Sequence, residues 1–467
     1  MTLQHNPAIQ KKVKETPIKT SIDEKDIDSF EKCRSYTVSI MEGGNIGVLH
    51  ACLFAEAGFK VISVNANPHT SELLRRGRTR SFGKPYGRLK LYLEDGAIGA
   101  SSDARKAASE SDIIVVAVQP ALDRKKKPDY SQLERVCKEV GMGLKEGALV
   151  LFVSPTGPGL VENSLRRILE QASGLIAGKD FRLASSPFKK GLESGEKEAS
   201  KPLRVVGAID EISLRTAWRV LRVVTKSDLM KVSSIKSAEV AHLFQSANVE
   251  MNLALANEQA LLCERLGVDF FELLKVLNER RSFLPFPGIR NDSVRRELCM
   301  LLEEAENTDT NLRLTLLAER VNDEMANHVL RLVRDALHAC GKTARRAKVS
   351  IMGISQRPNG REAPGWIVKR IISLLSKRVR TVAVYDPHFS KKEMTDLGLE
   401  AKKLSKVIEG TDCLVFLAAH SRFSRLNLRR IKLLSKKSPS IVDVAHVIDP
   451  SKARELGFEY RGLGMGG

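Results

Sequence analysis

Residues 36–68 read YTVSIMEGGNIGVLHACLFAEAGFKVISVNANP, and this stretch decides the fold. Its first residues, YTVSIM, have the apolar content of a buried strand, and a turn containing glycines follows them. Apolar residues then recur at helical spacing through VLHACLFAEAGF, and KVISVNANP predicts a second strand. Strand, glycine turn, helix and strand in this order are typical of a parallel sheet wound with helices on both faces.

The same alternation continues at 111–120 and 147–155 and returns near the end of the chain, at 347–355, 380–388, 412–420 and 440–446. Residues 235–277 and 311–340 instead follow long helical patterns. We therefore predict an α/β protein with two Rossmann-like, doubly wound parallel-sheet domains joined by a central helical domain. The expected divisions are a flexible arm at 1–35, a dinucleotide-binding domain at 36–208, the helical domain at 209–338 and the second Rossmann-like domain at 339–467.

Composition sets limits on location and partners. The chain has 467 residues, a formal net charge of +20 and seven scattered cysteines without CxxC spacing, so neither zinc nor a disulfide framework is indicated. We find no apolar run of membrane-spanning length and no signal-peptide core, which predicts a cytoplasmic protein. Basic clusters at 75–76, 124–127, 345–346 and 429–430 lie in separate segments without interleaved aromatics. We interpret them as solvated faces rather than a specific nucleic-acid site.

The glycine turn is an altered dinucleotide fingerprint. A GxGxxG motif after a strand lets the backbone approach a pyrophosphate, and its six positions read Glu42, Gly43, Gly44, Asn45, Ile46 and Gly47. The second and third glycines remain, while a carboxylate replaces the first, at a helix N-terminus that would hold an anionic ligand. The acidic residue expected to bind the ribose corresponds to Asn65, which leaves the choice between NAD and NADP open. Retained NAD binding and a domain kept only for packing are both open.

Residues 283–300, FLPFPGIRNDSVRRELCM, indicate a family. They resemble the FLxPGPGxGGxCxPxD loop of the UDP-glucose/GDP-mannose dehydrogenase family, and Phe283, Leu284, Pro285, Pro287 and Gly288 follow that pattern. The resemblance extends from residue 36 to residue 464 and includes ALANEQALLCERLGVD, LAERVNDEM, VAVYDPH and YRGLG in the family order. It implies a dinucleotide domain, a central dimer-forming helical domain and a C-terminal domain that binds the nucleotide of a UDP-sugar.

The resemblance also implies a reaction, because the family oxidises the C6 alcohol of a UDP-sugar twice and captures the aldehyde on a cysteine. Ser293 stands at the position of that cysteine, and a serine hydroxyl needs an adjacent base to react. Asp292 adjoins it, and Cys299 is interpreted as a core residue. The other family positions have also changed: aspartate to Glu297, lysine to His242, asparagine to Ser246, glutamate to Phe188, threonine to Pro155 flanked by Ser154 and Thr156, and VPTP to residues 118–121.

In the C-terminal domain, GISQRPNGREAP corresponds to the family pattern GxxFKPNTDDxRxSP with a shortened loop. Arg357 and Arg361 take the positions of the lysine and arginine that help to bind the substrate, together with Gly288 of the central loop. Two arginines can hold a phosphate, although solvated surface arginines are the alternative. The family DxRN motif reads Asp443 to His446 and loses its arginine.

Two hypotheses follow from these substitutions. The chain is either a catalytically impaired or inactive homologue that keeps the scaffold, or an active NAD-dependent UDP-sugar 6-dehydrogenase of polysaccharide biosynthesis. The simultaneous loss of the cysteine, lysine and glutamate favours the first. The expected site residues are Ser293, Glu297 and His242 at the reaction centre, Gly44, Gly47 and Asn65 for the cofactor, and Gly288, Arg357 and Arg361 for the substrate. We expect a homodimer through residues 235–277, with an active paralogue as an alternative partner.

Overall fold

The computed structural model describes residues 27, 29–41, 45–65, 88–123, 125–188, 203–225, 227–279 and 284–466. In these ranges the chain forms an N-terminal sheet with helices, a helical middle and a C-terminal parallel sheet with helices. The predicted fold class is confirmed. The described helices include none that is long and apolar enough to cross a membrane.

The N-terminal sheet contains eight strands: β1 (Thr37–Met41), β2 (Lys60–Val64), β3 (Ile98–Ser101), β4 (Ile113–Val116), β7 (Leu149–Phe152), β8 (Arg182–Ser185), β9 (Leu203–Ala208) and β10 (Asp228–Lys231). Their spatial order is β10-β9-β8-β7-β4-β1-β2-β3, and all neighbours are parallel except β8 and β9. Between β4 and β7, the two-residue strands β5 (Ala121–Leu122) and β6 (Pro128–Asp129) form an antiparallel hairpin. Every residue of β4 and β7 is buried, as expected for a sheet covered on both faces.

The helices of this part follow the strands in the expected alternation: α1 (Phe30–Cys33), α2 (Asn45–Glu56), α3 (Leu89–Glu94), α4 (Ala104–Ser109), α5 (Ser131–Gly143), α6 (Arg166–Ser173) and α7 (Glu211–Val224). A π-helical turn, Val161–Leu165, leads into α6. The two faces of the sheet form two apolar clusters, one around Phe54 and Val220 and the other around Cys137 and Leu165. The core therefore lies on both sides of the sheet.

Two details differ from the divisions expected from the sequence. The sheet continues beyond residue 208, because β10 pairs with β9 and the α7 side chains Val220 and Leu221 belong to the core around α2. We therefore propose that the first domain extends to Lys231. The expected flexible arm lies mostly outside the described residues, but Ile27 and Cys33 at its end are buried in the same core. Those last residues are thus packed rather than flexible, because they bury apolar side chains.

Four helices form the middle of the molecule: α8 (Ile235–Leu266), α9 (Phe270–Asn278), α10 (Asp292–Asn307) and α11 (Arg313–Ala339). Helix α8 begins where the Ser234 side chain accepts a hydrogen bond from the backbone of Ser237, and it ends at Gly267, whose φ of 72° is left-handed. Polar side chains such as Glu239, His242 and Glu250 are buried along α8. Buried polar side chains on a long helix can form a polar site where α8 packs against α10 and α11.

The C-terminal sheet has five parallel strands: β11 (Lys348–Met352), β12 (Thr381–Tyr385), β13 (Cys413–Phe416), β14 (Ser440–Asp443) and β15 (Glu459–Gly462). Their order is β12-β11-β13-β14-β15. The helices between them are α12 (Trp366–Ser376), α13 (Lys391–Asp396), α14 (Leu404–Ile408), α15 (Leu428–Leu434) and α16 (Pro450–Glu455). A short 3-10 turn, Ala344–Arg346, connects α11 to β11. The predicted strands at 347–355, 380–388, 412–420 and 440–446 contain the first four of these strands.

Candidate functional site

Two of the three residues expected at the reaction centre, His242 and Glu297, meet Ser246 between helices α8 and α10. The hydroxyl of Ser246 donates a hydrogen bond to Oε2 of Glu297, and Nε2 of His242 lies 3.5 Å from Oε1 of the same carboxylate. All three side chains are buried. His242 and Ser246 share a face of α8 because they lie four residues apart. The structure therefore brings together the residues at the family lysine, asparagine and aspartate positions.

Ser293 lies in the first turn of α10, and Asn291 is the residue that caps this helix. The backbone N–H and the hydroxyl of Ser293 both donate to Oδ1 of Asn291, at 2.9 and 3.1 Å. An amide oxygen accepts a proton in a hydrogen bond but is not a base at neutral pH. The neighbouring carboxylate of Asp292 accepts instead from the backbone N–H of Trp366, at 2.9 and 3.1 Å. Neither arrangement activates the Ser293 hydroxyl as a nucleophile.

Cys299, two turns farther along α10, does not replace the missing nucleophile. Its side chain is buried, and burial raises the pKa of its thiol above the ordinary value, which keeps it protonated. It contacts a cavity of about 540 Å³ between the β5–β6 hairpin and the helices α10 and α11, where Lys126 and Lys127 lie 3.9 Å from Glu319 and Glu303. This cavity does not include Ser293, His242 or Glu297 among its lining residues.

The loop before α10 is held by two asparagine side chains. Asn278 of α9 accepts from the N–H of Leu284 at 2.9 Å and donates to its carbonyl at 3.0 Å. Asn257 of α8 accepts from the N–H of Gly288 at 2.8 Å and donates to its carbonyl at 3.2 Å. The backbone of Gly288, expected at the substrate, is therefore engaged with α8. Phe283 lies outside the described residues.

Arg290 is a site residue that sequence reasoning missed. It stands in the segment where the family pattern has two adjacent glycines, and its guanidinium is buried. Nη1 lies 2.5 Å from Glu250 of α8, and Nη2 pairs with Asp323 and lies 3.8 Å from Glu319, both on α11. Two features of the sequence could have indicated this residue: an arginine stands at a family glycine position, and the pattern of a buried helix follows it.

Glu239 organises the loop that carries Pro155. Its carboxylate accepts from the Thr156 hydroxyl at 2.8 Å and from the backbone N–H groups of Gly159 and Val161 at 2.6 and 3.2 Å. Burial raises the pKa of the Glu239 carboxyl to about 7, while these hydrogen bonds act in the opposite direction and lower it. The Ser154 hydroxyl donates to the carbonyl of Val116 at 3.2 Å. Both hydroxyls considered as substitutes for the family threonine therefore have intramolecular acceptors.

Phe188, at the position of the family glutamate, is a core residue. Its ring lies 5.0 Å from the ring of His50 on α2 in an edge-to-face arrangement, and the Arg204 guanidinium lies 5.3 Å above it. Arg204 donates to the hydroxyl and carbonyl of Ser186 at 2.9 and 3.1 Å. Burial and the charge of Arg204 lower the pKa of His50 to about 3, so the imidazole is neutral. This position supplies no carboxylate for acid or base chemistry.

The expected cofactor residues lie around β1 and β2. Gly47 is buried in the first turn of α2, and Asn65 is buried directly after β2. Glu42, Gly43 and Gly44 lie outside the described residues. Helix α2 follows β1, which lies between β4 and β2 in the sheet, and dinucleotide folds present the N-terminus of such a helix to a pyrophosphate. Gly47 and Asn65 therefore lie at the positions that dinucleotide folds use for the pyrophosphate and the ribose.

Carboxylates of the chain itself lie beside both arginines expected at the substrate diphosphate. Nε of Arg357 is 3.8 Å from Glu362, and Arg361 forms an ion pair with Glu393 of α13. These side chains are about one-fifth to one-quarter exposed. A phosphate ligand would therefore compete with internal carboxylates.

The altered DxRN segment lies at the carboxyl end of β14. Burial raises the pKa of Asp443 to about 6, while its carboxylate accepts from the N–H groups of Val447 and Ile448. His446 adopts a left-handed φ of 52°, and its ring lies 4.1 Å from that of Phe271. Burial lowers the pKa of His446 to about 4. Ala445 therefore stands where the family has its arginine, and a neutral ring packed on an aromatic residue stands at the following position.

The described part of the chain contains no group of three or more histidine, cysteine, aspartate or glutamate side chains that could hold a metal ion.

Three family models match the chain in the order of its three parts. The NAD binding domain of the UDP-glucose/GDP-mannose dehydrogenase family matches residues 36–224, the central domain of that family matches residues 236–324, and its UDP binding domain matches residues 350–450.

Relatives match over nearly the whole chain. The UDP-N-acetyl-D-mannosamine dehydrogenase of Pyrococcus horikoshii is 25% identical over 433 residues, which cover 92% of this chain and 99% of that protein. The UDP-N-acetyl-D-glucosamine 6-dehydrogenase of Pseudomonas aeruginosa is 26% identical over 351 residues, 73% of this chain and 81% of that protein. The solved structure of the Pyrococcus horikoshii UDP-D-ManNAc dehydrogenase superposes with a TM-score of 0.80 at 25% identity, covering 92% of this chain and 99% of that one.

Proposed function

The chain belongs to the UDP-glucose/GDP-mannose dehydrogenase family, and from this membership we propose that it is a homologue whose oxidation of nucleotide-sugars is impaired or lost. The observation that carries the proposal is the bonding of Ser293. Its hydroxyl donates to the amide of Asn291, and the adjacent carboxylate of Asp292 is bound to the backbone of Trp366. A serine without a base does not replace a thiolate that must add to an aldehyde.

The surroundings support the same conclusion. The cation expected from the family lysine is replaced by His242 beside Glu297, and an imidazole N–H stabilises a developing alkoxide less than a fixed ammonium does. The carboxylate of the family glutamate is replaced by Phe188, which packs in the core. Each change removes a group that acts on the same reacting carbon, and the losses combine in the transition state.

We propose that the scaffold still binds a nucleotide-sugar, with a UDP-N-acetylhexosamine as the first candidate. Two of the relatives act, by their names, on UDP-N-acetyl-D-mannosamine and UDP-N-acetyl-D-glucosamine. Arg357 and Arg361 would hold the diphosphate after their ion pairs with Glu362 and Glu393 open. Gly47 and Asn65 would hold NAD, which supplies a hydride acceptor when bound. We propose a cytoplasmic location for the protein.

The experiment combines turnover with binding on the purified chain. NADH formation is measured with NAD and with UDP-glucose, UDP-N-acetylglucosamine and UDP-N-acetylmannosamine, and a catalytically competent family member serves as the positive control. We expect no uronate. Thermal-shift titration with the same compounds measures binding independently, because a ligand at 100 times its Kd stabilises the native state by about 2.7 kcal/mol. Uronate formed at the rate of the control enzyme would refute the loss of activity.

A double variant locates the ligand site. Arg357→Gln with Arg361→Gln should abolish the thermal shift caused by the UDP-sugar and leave the shift caused by NAD unchanged. The matched control is Arg345→Gln with Arg346→Gln, which removes the same charge from two exposed residues of the same domain. If both double variants respond equally to the UDP-sugar, the diphosphate does not bind at Arg357 and Arg361.

An active UDP-sugar 6-dehydrogenase is the second candidate, and the contact of His242 and Ser246 with Glu297 favours it. This buried carboxylate and imidazole could still accept a proton from a sugar hydroxyl. If uronate forms, His242→Ala should abolish it, whereas removal of the buried Cys299 thiol by Cys299→Ala should not.

We propose a homodimer as the assembly, with an active paralogue as the alternative partner. Large apolar side chains on α8 and α9 are more than one-third exposed, among them Phe244, Leu255, Leu262 and Leu266. Contiguous exposed apolar surface of this kind is typical of protein interfaces. Light scattering should give twice the mass of the chain, and Leu255→Glu with Leu262→Glu should give the monomer mass. A monomeric unmodified protein would contradict the homodimer.

A further inference from the structure

The segment 421–437 of the C-terminal domain forms a surface of a single charge. Its sequence, SRFSRLNLRRIKLLSKK, contains seven arginine and lysine residues and no aspartate or glutamate. All seven side chains are exposed: Arg422, Arg425, Arg429, Arg430, Lys432, Lys436 and Lys437. We name this surface, residues 421–437, the basic face. Its first residue, Ser421, donates to Oδ1 of Asn359, between the arginines proposed for the UDP-sugar, whereas helix α15 within it has no part in the proposed function.

Internal acceptors engage only part of the basic face. Lys436 pairs with Asp412 at 2.9 Å, and Lys432 donates to the carbonyl of Leu456. Within the described residues, no ion pair is formed by the four arginines of this face. Arginine side chains left in solvent with one sign of charge attract anionic surfaces, because nothing nearby compensates their field.

Helix α15 fixes the geometry of the face. Leu428 and Ile431 are buried in the core of the domain, which orients the opposite side of the helix toward solvent. Leu433 on that side is 86% exposed, more than any other large apolar side chain in the described part of the chain. Arg429 and Arg430 precede it by four and three residues and therefore lie beside it on the helix surface. An apolar side chain thus projects from the middle of a cationic surface.

A cationic surface with one exposed apolar side chain suits some anionic partners better than others. Single-stranded nucleic acids are held by exposed aromatic side chains that stack on bases, but the aromatic residue of this segment, Phe423, is fully buried. Protein interfaces are centred on clusters of buried apolar and aromatic residues, whereas the basic face offers a single leucine. A bilayer with anionic headgroups accepts both features, since cations remain at the headgroups while an apolar side chain enters the acyl boundary.

We propose that the basic face binds the surface of an anionic phospholipid bilayer, with Leu433 inserted and Arg429 and Arg430 at the headgroups. The attachment is peripheral and reversible, because it depends on charge and on one apolar side chain. It positions the C-terminal domain against the membrane without a spanning segment. Its strength decreases as salt screens the headgroups, over the Debye length of about 10 Å at 0.1 M ionic strength.

The test is co-sedimentation of the full chain with vesicles of phosphatidylcholine containing phosphatidylserine and with vesicles of phosphatidylcholine alone. We expect binding to the first, release by added salt and no binding to the second. Arg429→Glu with Arg430→Glu should weaken binding at least about 100-fold, since each basic residue near an anionic surface contributes several-fold to the affinity. The matched control, Arg345→Glu with Arg346→Glu, makes the same charge change at another exposed pair and should weaken binding less than about tenfold.

A second pair of variants tests the apolar contact. Leu433→Ser should weaken vesicle binding by about tenfold, because a leucine side chain gains roughly 1.5–3 kcal/mol on burial. Leu314→Ser, at a leucine that is 73% exposed on α11, should have no effect. These residues are at the surface, and unchanged thermal unfolding confirms that each variant folds. Three outcomes would overturn the proposal. The chain does not bind phosphatidylserine vesicles, or both arginine double variants lose vesicle binding equally. The third is that vesicles do not bind and an oligonucleotide binds instead through the basic face.

Discussion

Arg290, in the loop before α10, joins helices α8 and α11 through its buried guanidinium. Removing the cation leaves the carboxylates of Glu250 and Asp323 facing one another without compensation. Breaking a buried ion pair from one side destabilises a protein by about 3–5 kcal/mol. We expect Arg290→Met, which retains the apolar volume, to lower the free energy of unfolding by that amount in urea denaturation. Arg334→Met is the control, because Arg334 is 67% exposed and its pair with Asp335 should contribute at most about 1 kcal/mol. Equal effects would contradict the assigned role.

His50 makes stability dependent on pH. Burial and the charge of Arg204 lower its pKa to about 3, below the value of 6.5 expected in the unfolded chain. Below pH 6.5 the unfolded state therefore binds a proton that the native state does not bind. The free energy of unfolding is therefore not lowered by His50 above pH 6.5. As the pH falls below 6.5, His50 lowers it by about 1.4 kcal/mol for each pH unit until the pH approaches 3.

His50→Leu should remove this dependence. Relative to the unmodified chain, the variant should gain about 2 kcal/mol of stability between pH 7 and pH 5, measured by urea denaturation at both values. Comparing the two proteins cancels the opposite contributions of Glu239 and Asp443, whose carboxyl pKa values are raised by burial. His338→Leu, at an exposed histidine of α11, is the control. A gain of the same size in the control would rule out His50 as the cause.

At the scale of elements, the loop from Leu284 to Asn291 has no regular secondary structure, but side-chain hydrogen bonds fix its backbone. Asn257 and Asn278 bond to the backbone of Gly288 and Leu284 through both polar atoms of their amides. We expect Asn257→Leu to destabilise the protein by about 1–3 kcal/mol, because it leaves buried backbone groups without partners. Amide hydrogen exchange should show faster exchange at Gly288, while exchange in β13 stays slow.

Asn307→Leu is the control for this variant, because Asn307 is exposed at the end of α10. Its substitution should not change exchange at Gly288. Unchanged exchange at Gly288 in Asn257→Leu would mean that the loop is held by its other contacts, including those of Arg290 and Asn278.

The elements were predictable from the sequence where local pattern decides them, and the site was not. Apolar runs identified β1, β4, β7 and the C-terminal strands, because buried parallel strands are apolar on both faces. The family pattern identified His242, Glu297 and Ser293 but not the bonds among them. Asn257 lies 31 residues from Gly288, and Asp292 lies 74 residues from Trp366. Contacts at such separations depend on how helices pack, which hydrophobic periodicity does not specify.

At the scale of the whole molecule, Asp292 makes one of the contacts that join the central helices to the C-terminal domain. The carboxylate of Asp292 caps the N-terminus of α12 at Trp366, and the Asp292 N–H donates to Oε1 of Gln356 at 2.8 Å. The guanidinium of Arg295, one turn later on α10, lies 4.1 Å from the centre of the Trp366 ring. A Cβ atom at Gly365 would meet the side chains of Asp292 and Gln356 at 3.0 Å, so a larger residue there would displace them by a few tenths of an ångström.

Asp292→Ala should therefore loosen the C-terminal domain from the central helices. The chain has two tryptophans, and in a Trp218→Phe background the fluorescence reports on Trp366 alone. We expect the emission of Trp366 to shift to longer wavelength in Asp292→Ala, because solvent gains access to a ring that Arg295 covers, and stability to decrease by about 1–3 kcal/mol. Asp396→Ala, at an exposed aspartate of α13, should change neither. If Asp292→Ala leaves the emission unchanged, the domains are held together by the other contacts of α11 with the C-terminal sheet.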